Sequence, residues 1–220
     1  MDIVMKKIVI IGATGYVGSA ILKEALGRGH QVKVIVRNPS KLILTHPNLK
    51  VVGGDVTDTD FLSRELAKSD AVISAFNPGW SNPNIYDETL EGYGSIICAV
   101  RNAGVHRFLM VGGAGSLQVA PGRLLMDEPD VPEKLLPGIR SLAKVYTDML
   151  LPEKSFDWVF LSPAANMFPG QRTGKFRLGK DELVADEKGD SNISVEDFAV
   201  AMIDELEQEK HHQERFTLGY

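Results

Sequence analysis

Short apolar runs alternate with helix-spaced apolar positions through the first 162 residues of the chain. Ile8 to Ile11 is a β-branched run closed by Gly12, the pattern of a strand buried on both faces. Val17, Ile21, Leu22, Ala25 and Leu26 then recur at helical spacing, and Gly27 and Gly29 stop that helix. Val32 to Val36 is the next strand, and Val51-Val52, Ala71 to Ser74, Arg107 to Val111 and Trp158 to Leu161 predict four more. Helices are expected between them, near 58–67, 86–103 and 138–150. Alternation of this kind predicts an α/β protein with a parallel sheet covered by helices on both faces.

After Pro163 the pattern changes. Pro169, Gly170, Gly174 and Gly179 interrupt it, with short strands expected at 175–178 and 182–185. Ser194 begins a helix, with Asp197 three positions on as a near capping box. Val195, Phe198, Ala199, Met202, Ile203 and Leu206 form its apolar stripe. Arg215 to Leu218 reads as a last strand. No linker composition separates this region, so the chain reads as one domain over 1–220, with residues 163–220 forming a small C-terminal substrate lobe packed on it.

Composition narrows the class. The chain has 220 residues, 44% hydrophobic and 24% charged, as in a folded globule. A formal charge of −5 disfavours nucleic acid as the main partner. Cys98, the one cysteine, excludes an internal disulfide and a multi-cysteine zinc site, and no metal site is expected. The opening residues Met1 to Lys7 show no signal-peptide pattern, and no apolar run is long enough to span a bilayer. The expectation is a cytoplasmic protein with a small-molecule substrate and no nucleic-acid or membrane partner, capable of forming a homodimer through the helices flanking its sheet.

The chemistry concentrates at strand ends. Gly12-Ala13-Thr14-Gly15-Tyr16-Val17-Gly18 lies between the first strand and the first helix. One glycine suits the tight turn, one the approach of a pyrophosphate, one the packing of helix on strand. The helix N-terminus offers free N–H groups to phosphate oxygens. Arg37 follows the second strand, where an acidic residue would favour the ribose of NAD, and Lys41 lies close by; two cations there suit the 2′-phosphate of NADP. Gly54-Asp55-Val56 follows the third strand: Asp55 suits either the adenine amino group, with Val56 packing on the ring, or a turn or helix cap. Ala75 and Phe76 leave the fourth strand at the carboxyl edge, where a ligand crevice is expected. Gly112-Gly113-Ala114-Gly115-Ser116 leaves the fifth, with Gly113 placed for close approach of the nicotinamide.

Together these residues resemble the short-chain dehydrogenase/reductase superfamily, and most closely its atypical NAD(P)H-binding branch of flavin reductases, biliverdin reductase B-type proteins and NmrA-like sensors. Its members often carry the label epimerase/dehydratase. The Gly12–Gly18 turn has the family's Gly-x-x-Gly-x-x-Gly form. Val36-Arg37-Asn38-Pro39, Gly54-Asp55-Val56 and the stretch from Asp157 to Pro163 match further segments. The resemblance implies a Rossmann-type doubly wound sheet and NADP, or else NAD, as cofactor. It implies that Gly12, Thr14, Gly15, Tyr16, Val17, Gly18, Arg37, Lys41, Asp55, Val56, Ala75, Phe76, Gly113 and Lys144 bind it.

The family's active site is a Tyr-x-x-x-Lys helix and a Ser or Thr after the fifth strand. Lys144 matches the lysine and Asp148 the acidic position beyond it, but Arg140 stands in the tyrosine's place. Tyr146 is two residues past Lys144 and faces elsewhere on a helix. Ser116 offers the hydroxyl, although Gly113 stands nearer its usual position. The catalytic candidates are thus Lys144 and Ser116. Without the tyrosine, the resemblance implies hydride transfer from NAD(P)H to a small planar acceptor such as a flavin or quinone, whose ring nitrogen or oxygen takes a proton from water. The alternatives are a non-catalytic dinucleotide sensor and an epimerase or dehydratase. The histidine that flavin reductases of this branch often carry after the late proline is absent from Ser162-Pro163-Ala164-Ala165-Asn166. His30, His46 and His106 read as surface residues, His211-His212 as a solvated tail, and Cys98 as core. The acidic loop holding Asp127, Glu128, Asp130 and Glu133 reads either as a crevice cap or as ordinary surface.

Overall fold

The computed structural model describes residues 4–220; Met1, Asp2 and Ile3, part of the opening read above for a signal peptide, lie outside it. Eight strands form one sheet in the order β10-β12-β8-β5-β4-β1-β2-β3. They are β1 (Lys7–Ile11), β2 (Gln31–Val36), β3 (Leu49–Gly53), β4 (Ala71–Ser74), β5 (Arg107–Val111), β8 (Asp157–Ser162), β10 (Arg177–Gly179) and β12 (Glu214–Gly219). All neighbours pair in parallel except β10 with β12. The crossovers are α1 (Tyr16–Gly27), α2 (Thr59–Leu66), α3 (Ile85–Asn102), α4 (Leu136–Lys144) and α5 (Val195–Gln208).

Successive strand residues point to opposite faces, so two cores form. Ile8, Ile10, Val34, Ile73, Leu109, Val159 and Leu161 pack beneath α1 and α5. Val9, Ile11, Ile35, Val72, Phe108, Met110, Trp158 and Phe160 pack beneath α2, α3 and α4. This is the doubly wound, Rossmann-type arrangement. Strand β1 pairs with β2 on one side and β4 on the other. The winding reverses there, and ligands of such sheets sit outside the carboxyl ends of those strands.

Residues 163–220 are less of a lobe than expected, because β12, β10 and α5 join the main sheet and its cover. What stands apart is the parallel pair β9 (Asn166–Phe168) and β11 (Asn192–Ser194) with its connecting loop. The strand expected at 175–178 forms at 177–179. The one expected at 182–185 is reduced to a bridge from Glu182 to Gln118, because that chain follows the hairpin of β6 (Gln118–Ala120) and β7 (Arg123–Leu124). Ser194 caps α5, accepting from the Asp197 amide at 3.0 Å. The Asp197 carboxylate instead accepts from the Thr173 and Gly174 amides and the Thr173 and Tyr220 hydroxyls. The helix near 138–150 starts at Leu136 and widens into a π-helical turn over Val145–Leu150.

Three burial assignments are corrected. His30 is fully buried: its ring accepts from the Lys6 amide and bonds Glu207 on α5. His211 stacks on Phe216 at 4.1 Å and bonds the buried Glu205. Cys98 is only half buried. No helix among the described residues is long and apolar enough to cross a membrane.

Candidate dinucleotide site

Gly12 leaves β1 with φ +85°, a left-handed conformation that glycine adopts without strain. A β-carbon there would overlap the Ala75 carbonyl at the exit of β4. On Gly18 it would lie 2.8 Å from the Gly12 carbonyl carbon. These two glycines therefore let β1, α1 and β4 meet. Gly15 differs, since its nearest obstacle would be the Gly12 oxygen at 3.3 Å. The fold has little need of a glycine there; a ligand approaching the backbone would.

The start of α1 is open. Its cap residue is Gly15, no side chain bonds the first amides, and no acidic residue lies in the first turn. Unpaired N–H groups at Tyr16, Val17 and Gly18 with a positive helix end constitute an anion seat, so these residues fit a dinucleotide's pyrophosphate. Thr14 and Tyr16 are exposed beside it. Partial desolvation of the hydroxyl, and secondarily the charge of Glu196, raises the Tyr16 phenol above its ordinary pKa.

Arg37 and Lys41 both lie exposed past the end of β2, Lys41 in the short turn Pro39–Lys41 whose first residue packs near Gly53. The Asp55 carboxylate accepts from the Thr57 amide at 3.0 Å and hydroxyl at 2.9 Å. Those two bonds first, and the Arg37 charge with them, hold it below the usual carboxylate range. Asp58, not Asp55, caps α2. Val56 is buried beside it. The loop leaving β4 is held by Tyr93, whose hydroxyl donates to the Phe76 carbonyl at 3.1 Å. The Phe76 ring turns away into α3, edge-on to Tyr93 and against Gly92, so Phe76 presents mainly its backbone to the crevice.

The exit of β5 rests on α4. A β-carbon on Gly113 would stand 3.4 Å from Leu142, and Gly115 packs on Ile139. Lys144 is exposed and paired with Asp148 at 2.5 Å, and that carboxylate raises its pKa. Arg140 is exposed one turn before it. Ser116 is engaged on the far side of the loop: its hydroxyl and carbonyl both accept from Arg215, at 2.9 and 3.0 Å. Arg215 is buried, forks onto Asp181 and lies 4.7 Å over the Tyr146 ring, which packs on Trp158 and Phe160. The glycines, Ala75, Arg37 and Asp55 thus line one carboxyl edge, while Ser116 serves a clamp beneath it.

Trp80, Tyr93 and Arg215 escaped the sequence reading. Only Trp80, an aromatic after Pro78-Gly79 in a strand-exit loop, carried a local sign. A separate depression of about 400 Å³ with Lys7, Lys33, Lys50 and Lys68 in its wall lies at the amino ends of β1 to β3, opposite the crevice. Among the described residues no group of three or more His, Cys, Asp or Glu is placed to hold a metal ion.

Comparison with known proteins agrees with this geometry. A family profile described as NAD(P)H-binding matches residues 12–209. The uncharacterized protein YwnB of Bacillus subtilis is 40% identical over 96% of this chain and 97% of its own. A crystal structure of a proposed epimerase from Bacteroides thetaiotaomicron superposes with TM-score 0.93 at 57% identity, covering 99% of this chain and 98% of that one. A proposed NADH-flavin reductase from Streptococcus pneumoniae superposes with TM-score 0.85 at 34% identity, over 97% and 99%.

Proposed function

Since the chain belongs to the NAD(P)H-binding family, as an atypical short-chain dehydrogenase/reductase, we propose that it is an NADPH-dependent oxidoreductase acting on a small planar acceptor such as a flavin or quinone. The observation that carries the reading is the uncapped start of α1 under a glycine turn pressed on β4. The amides of Tyr16 to Gly18 hold the pyrophosphate. Arg37 and Lys41 take the 2′-phosphate, which selects NADPH. Asp55 and Val56 border the adenine, Ala75 and Phe76 the crevice floor, and Gly113 leaves room for the flat nicotinamide. Lys144 orients the nicotinamide ribose after parting from Asp148. The bound reduced nicotinamide supplies a hydride.

The acceptor class follows from Arg140. Carbonyl reduction or sugar epimerisation requires a proton donor at that place, and a guanidinium does not exchange a proton near neutrality. Flavins and quinones can draw their proton from water. Ser116 is left out of the chemistry because its hydroxyl is committed to Arg215. Mixing the protein with NADPH and FMN, FAD or quinones, and following absorbance of the reduced cofactor, tests the reading. Turnover is expected with at least one of them; none above background, with cofactor bound, defeats it. Arg140 also favours a second reading, a dinucleotide sensor without turnover, which requires a protein partner whose binding responds to the cofactor.

A further inference from the structure

We propose that Trp80 is the stacking platform for the flat acceptor, a role that rests on the oxidoreductase reading above. Trp80 lies in the loop that leaves β4, and it is 51% exposed although it is the largest apolar side chain type. It is not loose. Its ring edge is seated on Gly138 at the start of α4, where a β-carbon would stand 2.7 Å from Cζ3 of the indole and equally close to Ile85. The loop under it is braced: Asn77 accepts from the Gly79 amide at 2.7 Å, and the Gly79 carbonyl accepts from the Asn82 amide at 3.0 Å.

The same stretch of α4 supports the other wall of the crevice. Ile139 packs on Gly115 and Leu142 on Gly113, in the loop that leaves β5. Four residues, about 6 Å of helix, separate the seat of Trp80 from the support of Gly113. A seated, half-exposed indole and the place assigned to the nicotinamide thus rest on the same short stretch of α4, one helical turn apart. Indole offers a polarisable face and one N–H, which suits flat multi-ring acceptors better than small polar ones.

The test measures FMN binding by equilibrium dialysis to protein saturated with NADP+, beside NADPH binding by fluorescence titration. Trp80→Ala is expected to raise the Kd for FMN about tenfold, with Trp80→Phe within about threefold of wild type. Gly138→Ala unseats the ring and is expected to weaken FMN in the same direction. NADPH affinity is expected to stay within twofold in all three. Unchanged FMN affinity in Trp80→Ala and Gly138→Ala overturns the assignment of Trp80 and leaves the oxidoreductase reading standing. A wild-type protein that binds NADPH but neither FMN nor a quinone overturns both.

Discussion

Gly12 and Ala75 touch backbone to backbone: a β-carbon on Gly12 would stand 2.6 Å from the Ala75 carbonyl carbon. That contact joins the exits of β1 and β4 and makes the glycines of the turn unequal. Gly12→Ala combines this overlap with a left-handed φ and is expected to destabilise the protein by about 2–4 kcal/mol. Gly15→Ala meets nothing closer than 3.3 Å, so its Tm is expected to stay within about 3 °C of wild type. Its methyl group would intrude on the phosphate seat, and NADPH affinity is expected to fall at least tenfold. Thermal unfolding with calorimetric titration separates the two effects. A Gly15→Ala protein that binds NADPH as the wild type does would remove the pyrophosphate from this turn.

On the proposed reading, Arg37 decides between the two pyridine nucleotides. A charge-assisted bond to a 2′-phosphate contributes about 1.5–3 kcal/mol, or roughly ten- to a hundredfold in affinity. Arg37→Ala is therefore expected to weaken NADPH by that factor and NADH by less than threefold. Arg37→Glu is expected to reverse the preference, since a carboxylate there repels the phosphate. Equal losses for both nucleotides in Arg37→Ala would mean that Arg37 acts on something they share.

Ser116 separates a structural hydroxyl from a catalytic one. Ser116→Ala removes one bond from Arg215 and is expected to cost about 1 kcal/mol while leaving turnover within twofold. Arg215→Met removes the whole fork onto Ser116 and Asp181 and is expected to cost about 2–4 kcal/mol. Faster hydrogen exchange at the amides of residues 112–118 would accompany it. A hundredfold loss of turnover in Ser116→Ala, with unchanged stability, would return Ser116 to the chemistry.

The parts of this site that could be read from sequence are those set by local pattern. The run Ile8–Ile11, the glycine spacing and the stripe from Val17 to Leu26 are contiguous, and the strand, turn and helix they predict are present. The placing of Arg37 and Asp55 at one sheet edge follows from the strand ends that precede them. What stayed hidden depends on partners far along the chain. His30 is buried because Glu207, 177 residues on, meets its ring, and Ser116 is turned from the crevice by Arg215, 99 residues on. Trp80, in a loop, is seated by Gly138 on α4. The widened turn after Lys144 has no composition signature, and it lies where Tyr146 enters the core against Trp158 and Phe160.

Glu153 gives the fold a dependence on acid. Its carboxylate is buried, which alone would raise its pKa. The Ser155 hydroxyl and amide, both at 2.6 Å, and the Arg101 guanidinium outweigh burial and hold it at about 2, against an ordinary value near 4.5. A depressed pKa means that the unfolded chain takes up the proton first. The stabilisation is therefore complete above about pH 4.5 and drains away as the pH falls toward 2. Asp197, held below its ordinary value by Thr173, Gly174 and Tyr220 against the effect of burial, adds in the same direction. Glu153→Gln keeps an acceptor for Ser155 but loses the charge facing Arg101, and is expected to cost roughly 2–3 kcal/mol at pH 7. The difference between wild type and variant is expected to shrink by up to about 1.4 kcal/mol per pH unit inside that window. Urea unfolding at pH 7, 4.5, 3.5 and 2.5 measures it. A difference that stays constant across those values would show that the Glu153 charge does not contribute to holding Ser155 and Arg101 in place.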